Sequence, residues 1–131
     1  MPSDQQHFAY AVDRRFAVLL ALIGADVARD GVALDAAGFF ARLGPVRLAT
    51  KRSNVLGAHV TGPYHWWKAI GIRRSFADSG LTFGTNARAG VCVHFATPVP
   101  SPLRRRGHEA LTVTVADPDG LVAALQGAPS P

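Results

Sequence analysis

Near the end of the chain, Leu111, Val113 and Val115 alternate with Thr112 and Thr114. That is the period-2 pattern of a strand with one buried face. The period then changes, and Leu121, Val122 and Leu125 fall on one face of a helix. Asp117 offers a side-chain oxygen to the unpaired N–H groups of a helix start, and Pro118 fits the first turn, where no N–H is needed. Asp119 adds negative charge where the helix dipole favours it. The spacing predicts a strand feeding directly into a C-terminal helix.

Phe8, Tyr10 and Val12 also alternate, and Asp13 is placed to cap a helix beginning at Arg14, with Phe16, Leu19, Leu20 and Ile23 at helical spacing. A buried strand through Ala17–Leu22 is the competing assignment for that apolar run. From Gly31 onward the punctuation is that of a β fold. Val32–Leu34, Gly38–Leu43, Val46–Thr50 and Val55–Thr61 are short strands, with Gly44-Pro45 and the polar run Lys51–Asn54 as breaks. Gly62-Pro63 ends the last of these, and Tyr64–Ile70 is an aromatic connection. Arg74–Ala77 and Leu81–Thr85 flank the turn Asp78-Ser79-Gly80 as a hairpin. Asn86–Gly90 turns again before the strand Val91–Ala96. The proline- and arginine-rich stretch Thr97–Gly107 reads as a loop, and Gly127–Pro131 as a frayed tail.

The whole predicts a mainly β fold: about seven short strands in a small, partly open antiparallel barrel, with the C-terminal α-helix plugging one end and a short N-terminal helix. The 131 residues fit a single domain with an ordered core over 8–126 and no dividing linker. One cysteine, Cys92, excludes an internal disulfide framework. No signal-peptide order is visible at the amino terminus, and the longest apolar run, Phe16–Ala25, is roughly half the length that spans a bilayer. A cytoplasmic protein is the expectation.

Charge changes the picture more than composition does. Residues 1–35 carry a net −2 and residues 109–131 a net −3, whereas residues 36–108 hold eleven Lys/Arg against Asp78 alone. A basic middle between acidic ends predicts a negatively charged partner, and the plainer reading is a solvated basic surface.

Several segments resemble a known group: Asn54-Val55, Val60-Thr-Gly-Pro-Tyr-His-Trp-Trp-Lys-Ala-Ile-Gly71, Asp78-Ser-Gly-Leu-Thr-Phe-Gly-Thr85, Gly90-Val-Cys-Val-His-Phe95 and the closing Leu-Thr-Val-Thr-Val run. Over residues 8–125 the chain is similar to small uncharacterised actinobacterial proteins with a pleckstrin-homology-like barrel. The resemblance implies a fold and carries no catalytic residue.

The candidate ligand site is a basic, aromatic barrel rim. Tyr64, Trp66, Trp67 and Lys68 would approach Lys51, Arg52, Arg73 and Arg74, giving aromatic contact and charge-assisted hydrogen bonds to an acidic protein or an anionic lipid headgroup. The bland counterpart is indoles sealing a barrel mouth. His59, His65, Cys92 and His94 raise a rival, a small-molecule or metal-binding protein or enzyme using a pocket, which needs at least two of these side chains to converge in a cavity. Cys-x-His is a weak spacing, and same-strand neighbours make a poor catalytic pair, so no catalytic residue, metal ligand or cofactor is assigned. Nonspecific nucleic-acid binding is a further rival, without any helix-turn-helix, zinc-finger or RNP signature behind it. Homo-oligomerisation through a strand edge stays open. No phosphate-cradling glycine loop or nucleophile elbow appears, and the scarcity of carboxylates between residues 36 and 108 argues against paired-carboxylate chemistry.

Overall fold

The computed structural model describes residues 6–22, 24–25, 30–62, 71–74, 80–86 and 88–126, with the backbone alone for Arg73 and Arg74. The first four strands are β1 (Gln6–Ala9), β2 (Gly31–Leu34), β3 (Gly38–Leu43) and β4 (Val46–Lys51). They form an antiparallel sheet in chain order. Its turns follow from local chemistry. Asp35 accepts the N–H groups of Ala37 and Gly38 at 2.8 Å each, and Gly44 takes the left-handed conformation (φ 60°) that a side chain disfavours.

The second sheet contains β5 (Val55–Thr61), β6 (Gly71–Arg74), β7 (Leu81–Gly84), β8 (Gly90–Ser101) and β9 (Arg104–Val113). Its order is β5-β8-β9-β7-β6, so β5 and β6, consecutive in the chain, lie on opposite edges. The pair β7–β9 is parallel, where only antiparallel neighbours were expected. The sequence conceals this because period-2 alternation is the same for either direction.

Inward positions of both sheets make one core. Val32, Phe39 and Leu43 meet Phe83, Val91, Val93, Leu111 and Val113, all fully buried. Phe39 packs edge-on against Phe95 with ring centroids 5.9 Å apart, a favoured aromatic geometry. The C-terminal helix α2 (Pro118–Gln126) inserts Leu121 and Leu125 into that core. Asp117 caps it as the sequence predicts, accepting the Gly120 N–H at 3.0 Å.

The N-terminal helix is also present, as a 3-10 turn (Arg14–Phe16) running into α1 (Ala17–Leu22), which settles that apolar run as helix rather than strand. Asp13 caps it by accepting the Arg15 N–H at 3.0 Å. The adjacent Arg15 guanidinium lowers the Asp13 pKa from its ordinary value. Only Leu20 of the predicted stripe is buried; Leu19 is exposed, and Ile23 lies outside the described residues.

Thr97–Gly107 is not a loop: β8 and β9 run through it as a long hairpin. Beyond Phe95, the last partner of β5, the β8 edge needs no further ladder, so Pro98 and Pro100 are tolerated there. Gly107, at φ 96°, lies against Pro98, where a Cβ would come within 2.7 Å. The expected Arg74–Ala77 strand is observed as Gly71–Arg74, paired to β7 as the predicted hairpin; residues 75–79 lie outside the described set, as do Tyr64–Ile70 and the tail. Among the described residues no helix is long and apolar enough to cross a membrane.

Leu121→Asp places an unpaired charge in the core, so the variant is expected to lose cooperative thermal unfolding, as read by circular dichroism; a parent-like melt would show that α2 does not pack as described. Tyr10 is buried beside Asp30, and desolvation, then that carboxylate, push its phenol well above its ordinary 10.0. The folded chain therefore retains a proton that the unfolded chain releases, and stability falls as pH rises above about 10. Tyr10→Phe should flatten that alkaline loss in urea titrations while costing about 1 kcal/mol at neutral pH.

Candidate functional site

Of the predicted rim, Tyr64, Trp66, Trp67 and Lys68 lie outside the described residues, as does His65. Arg73 and Arg74 are placed by backbone alone, on β6 at the far edge of the second sheet from β5. Lys51 is exposed at the end of β4. Arg52 holds the end of the C-terminal helix. Its Nη2 donates to the carbonyls of Ala124 (3.0 Å) and Leu125 (2.7 Å), the orphan acceptors at the end of α2. A cation there also suits the negative end of the helix dipole.

The outward face of the first sheet carries a second basic feature. Along β3 and β4 the outward side chains are Phe40 and Arg42, then Arg47, Ala49 and Lys51. Register sets Arg42 directly opposite Arg47. Ala33 and Ala49 are too small to fill the space between the larger side chains, and the His7 ring lies over Gly31. The result is a hollow of about 240 Å³ lined also by His7, Phe40, Arg42 and Arg47. Phe40 stands 43% exposed beside the hollow.

The two arginines differ electrostatically. Arg42 Nε lies 3.4 Å from the Oδ1 atom of the fully buried Asp30, whose Oδ2 accepts the Gly44 N–H at 2.7 Å. Arg47 has no hydrogen bond or ion pair among the described residues. Like charges directly opposed across a strand pair are unfavourable. A bound anion would remove that penalty.

The outward face of the second sheet gathers His59, Cys92 and His94. His59 sits directly opposite Cys92 across β5–β8, and His94 follows Cys92 on the same face. Cys92 Sγ lies 3.6 Å from His94 Nε2, closer than the same-strand spacing predicts, and the His59 and His94 rings stack at 5.2 Å and 17°. They converge on a sheet face where both histidines are exposed and Cys92 is half-buried.

Sequence reasoning passed over one buried pair. Ser101 Oγ and His108 Nε2 are 2.7 Å apart at the tip of the β8–β9 hairpin, and Ser101 also accepts the Leu103 N–H. With His108 fully buried and Ser101 nearly so, the pair satisfies polar groups inside the hairpin. A segment rich in proline and arginine carries no local signal that Ser101 and His108 face each other across paired strands.

The two roles offered for Arg52 are separable. Arg52→Ala leaves two helix-end carbonyls without their donor, so a loss of about 1–3 kcal/mol in chemical denaturation is expected; an unchanged midpoint would return Arg52 to the pool of ligand-binding cations. Comparison with protein-family models, curated proteins and solved structures returns no match.

Proposed function

We propose that the protein is a non-enzymatic binding module that recognises an acidic segment of a partner protein on the outward face of β1–β4. The observation that carries this reading is the Arg42–Arg47 cross-strand pair beside an exposed Phe40, at the rim of a hollow floored by Ala33 and Ala49. Arg47 supplies an uncompensated guanidinium suited to a bidentate carboxylate contact. Phe40 gives the aliphatic part of the partner's side chain an apolar wall, and Lys51, two residues beyond Ala49 on the same face, extends the positive surface. An anionic lipid headgroup is the weaker partner. Membrane attachment gains only about 1 kcal/mol per basic side chain, and this face offers few.

The finer architecture belongs to the same proposal. The two sheets are read as the halves of a partly open, pleckstrin-homology-like barrel, in keeping with the resemblance to small actinobacterial proteins. Supporting this are the four-strand meander, the helix packed on the core, and the bridge from Tyr10 to Val115 that joins β1 to the segment after β9. The crossed order of the second sheet departs from a simple meander.

The reading is tested by titrating a glutamate-rich peptide into the parent protein and an Arg47→Glu variant at low and high salt. Binding should weaken roughly tenfold or more in the variant and fade with salt, with the melting temperature little changed because Arg47 is exposed. Equal binding by both proteins would end the reading. Loss on Lys51→Glu but not Arg47→Glu would move the site to the rim, and capture by anionic vesicles without peptide binding would identify the headgroup instead.

A further inference from the structure

The cluster on the second sheet has no part in that reading, and its chemistry differs. His59, Cys92 and His94 each offer one ligand atom, and all three atoms lie within 4.8 Å of one another. Three features of the fold produce this. The β5–β8 register places His59 across from Cys92. The period of β8 returns His94 to the same face. The partner of His94 is Gly57, where an added Cβ would meet nothing within 4 Å, so space is left open beside the imidazole.

The spacing is that of a coordination edge. A tetrahedral cation about 2.3 Å from a thiolate and about 2.0–2.1 Å from an imidazole nitrogen holds those two atoms roughly 3.6 Å apart. Cys92 Sγ and His94 Nε2 are separated by 3.6 Å. His59 is exposed, so its ring can rotate out of the stack on His94 to bring a nitrogen to the third corner.

We infer that His59, Cys92 and His94 form a metal site for one borderline-soft divalent cation of the zinc class, with a fourth position open to water or a small exogenous ligand. The donor set decides the metal class. Thiolate and imidazole suit zinc, whereas magnesium and calcium require oxygen ligands, and the cluster contains none. A closed structural site has four protein ligands; among the described residues this cluster offers three, on an exposed sheet face, which leaves a fourth position for water or an exchangeable ligand. The site lies on the opposite sheet from the Arg42–Arg47 hollow, so each can fail without the other.

The test uses the full chain, reduced and freed of metal, titrated with Zn²⁺ by calorimetry and with Co²⁺ by absorption spectroscopy. One equivalent per chain is expected, with a thiolate-to-cobalt charge-transfer band and the strong d–d absorption of four-coordinate cobalt. Added imidazole should shift the d–d bands by occupying the open position. Cys92→Ser should abolish the charge-transfer band. His59→Ala and His94→Ala should each weaken zinc binding beyond the roughly 10–100-fold typical of removing a group that only orients a ligand. Both histidines are exposed and Cys92 is half-buried, so circular dichroism should show all three variants folded. No charge-transfer band in the parent, or a band that survives Cys92→Ser, overturns the site. Zinc binding untouched by both histidine variants overturns it as well. Half an equivalent per chain with a doubled mass overturns the open position, since a second copy would then fill it.

Discussion

The carbonyl of Ala11 is where the two sheets are held together. Thr85 Oγ1 donates to it at 2.8 Å and Asn86 Nδ2 at 2.6 Å, while the Ala11 N–H donates to the Thr114 carbonyl at 2.9 Å. Thr114 Oγ1 in turn accepts the Thr85 N–H at 2.7 Å. Thr85, Asn86 and Thr114 are buried, so each polar group would cost several kcal/mol without a partner. Their mutual satisfaction in a low-dielectric interior makes the arrangement specific: a shift of one strand end would strand several donors at once. Apolar contact alone would let the sheets slide; this network fixes where they meet. It also seats Tyr10, whose hydroxyl donates to the Arg42 carbonyl at 2.7 Å.

A second set of contacts ties the fold elsewhere. Asn54 donates from Nδ2 to Thr50 Oγ1 and the Thr97 carbonyl, and its Oδ1 accepts the Thr97 N–H at 2.8 Å. Arg52, two residues earlier, holds the end of α2, and Gln126 reaches from that helix to the Ala58 carbonyl at 2.8 Å. With both sets of contacts in place and the inner faces given to the core, the outward positions of the sheets are left for chemistry. Both candidate sites sit there, one on each sheet.

Much of the architecture was legible from local pattern. Asp13 and Asp117 announced two helix starts because a cap is a contact within a few residues, and Leu121 and Leu125 announced a buried face. Most strands were visible as alternation. What was hidden depends on partners far along the chain. Pro98 and Pro100 read as loop residues because nothing local reveals that β8 is unpaired on one side there. Arg52 read as a surface cation because its acceptors, the Ala124 and Leu125 carbonyls, are more than seventy residues away. Cys92 and His94 could be placed on one face from sequence, but His59 could not be set beside them without the β5–β8 register.

Register is therefore the level at which this protein's surface acquires chemistry. Arg42 meets Arg47 because the tight turn at Gly44 pairs Leu43 with Val46, which fixes every later pair of that hairpin. His59 meets Cys92 through a longer route, since β5 and β8 are separated by two strands and the irregularity between Val55 and Gly57 resets their alignment. A slip of one residue in either pair would turn the outward side chains into the core and the core outward. The buried valines and leucines forbid that slip energetically. Phe39, Ala41, Val91 and Val93 thus hold the two surface pairs in place without touching any ligand: burial of the inward set leaves one permitted arrangement of the outward set.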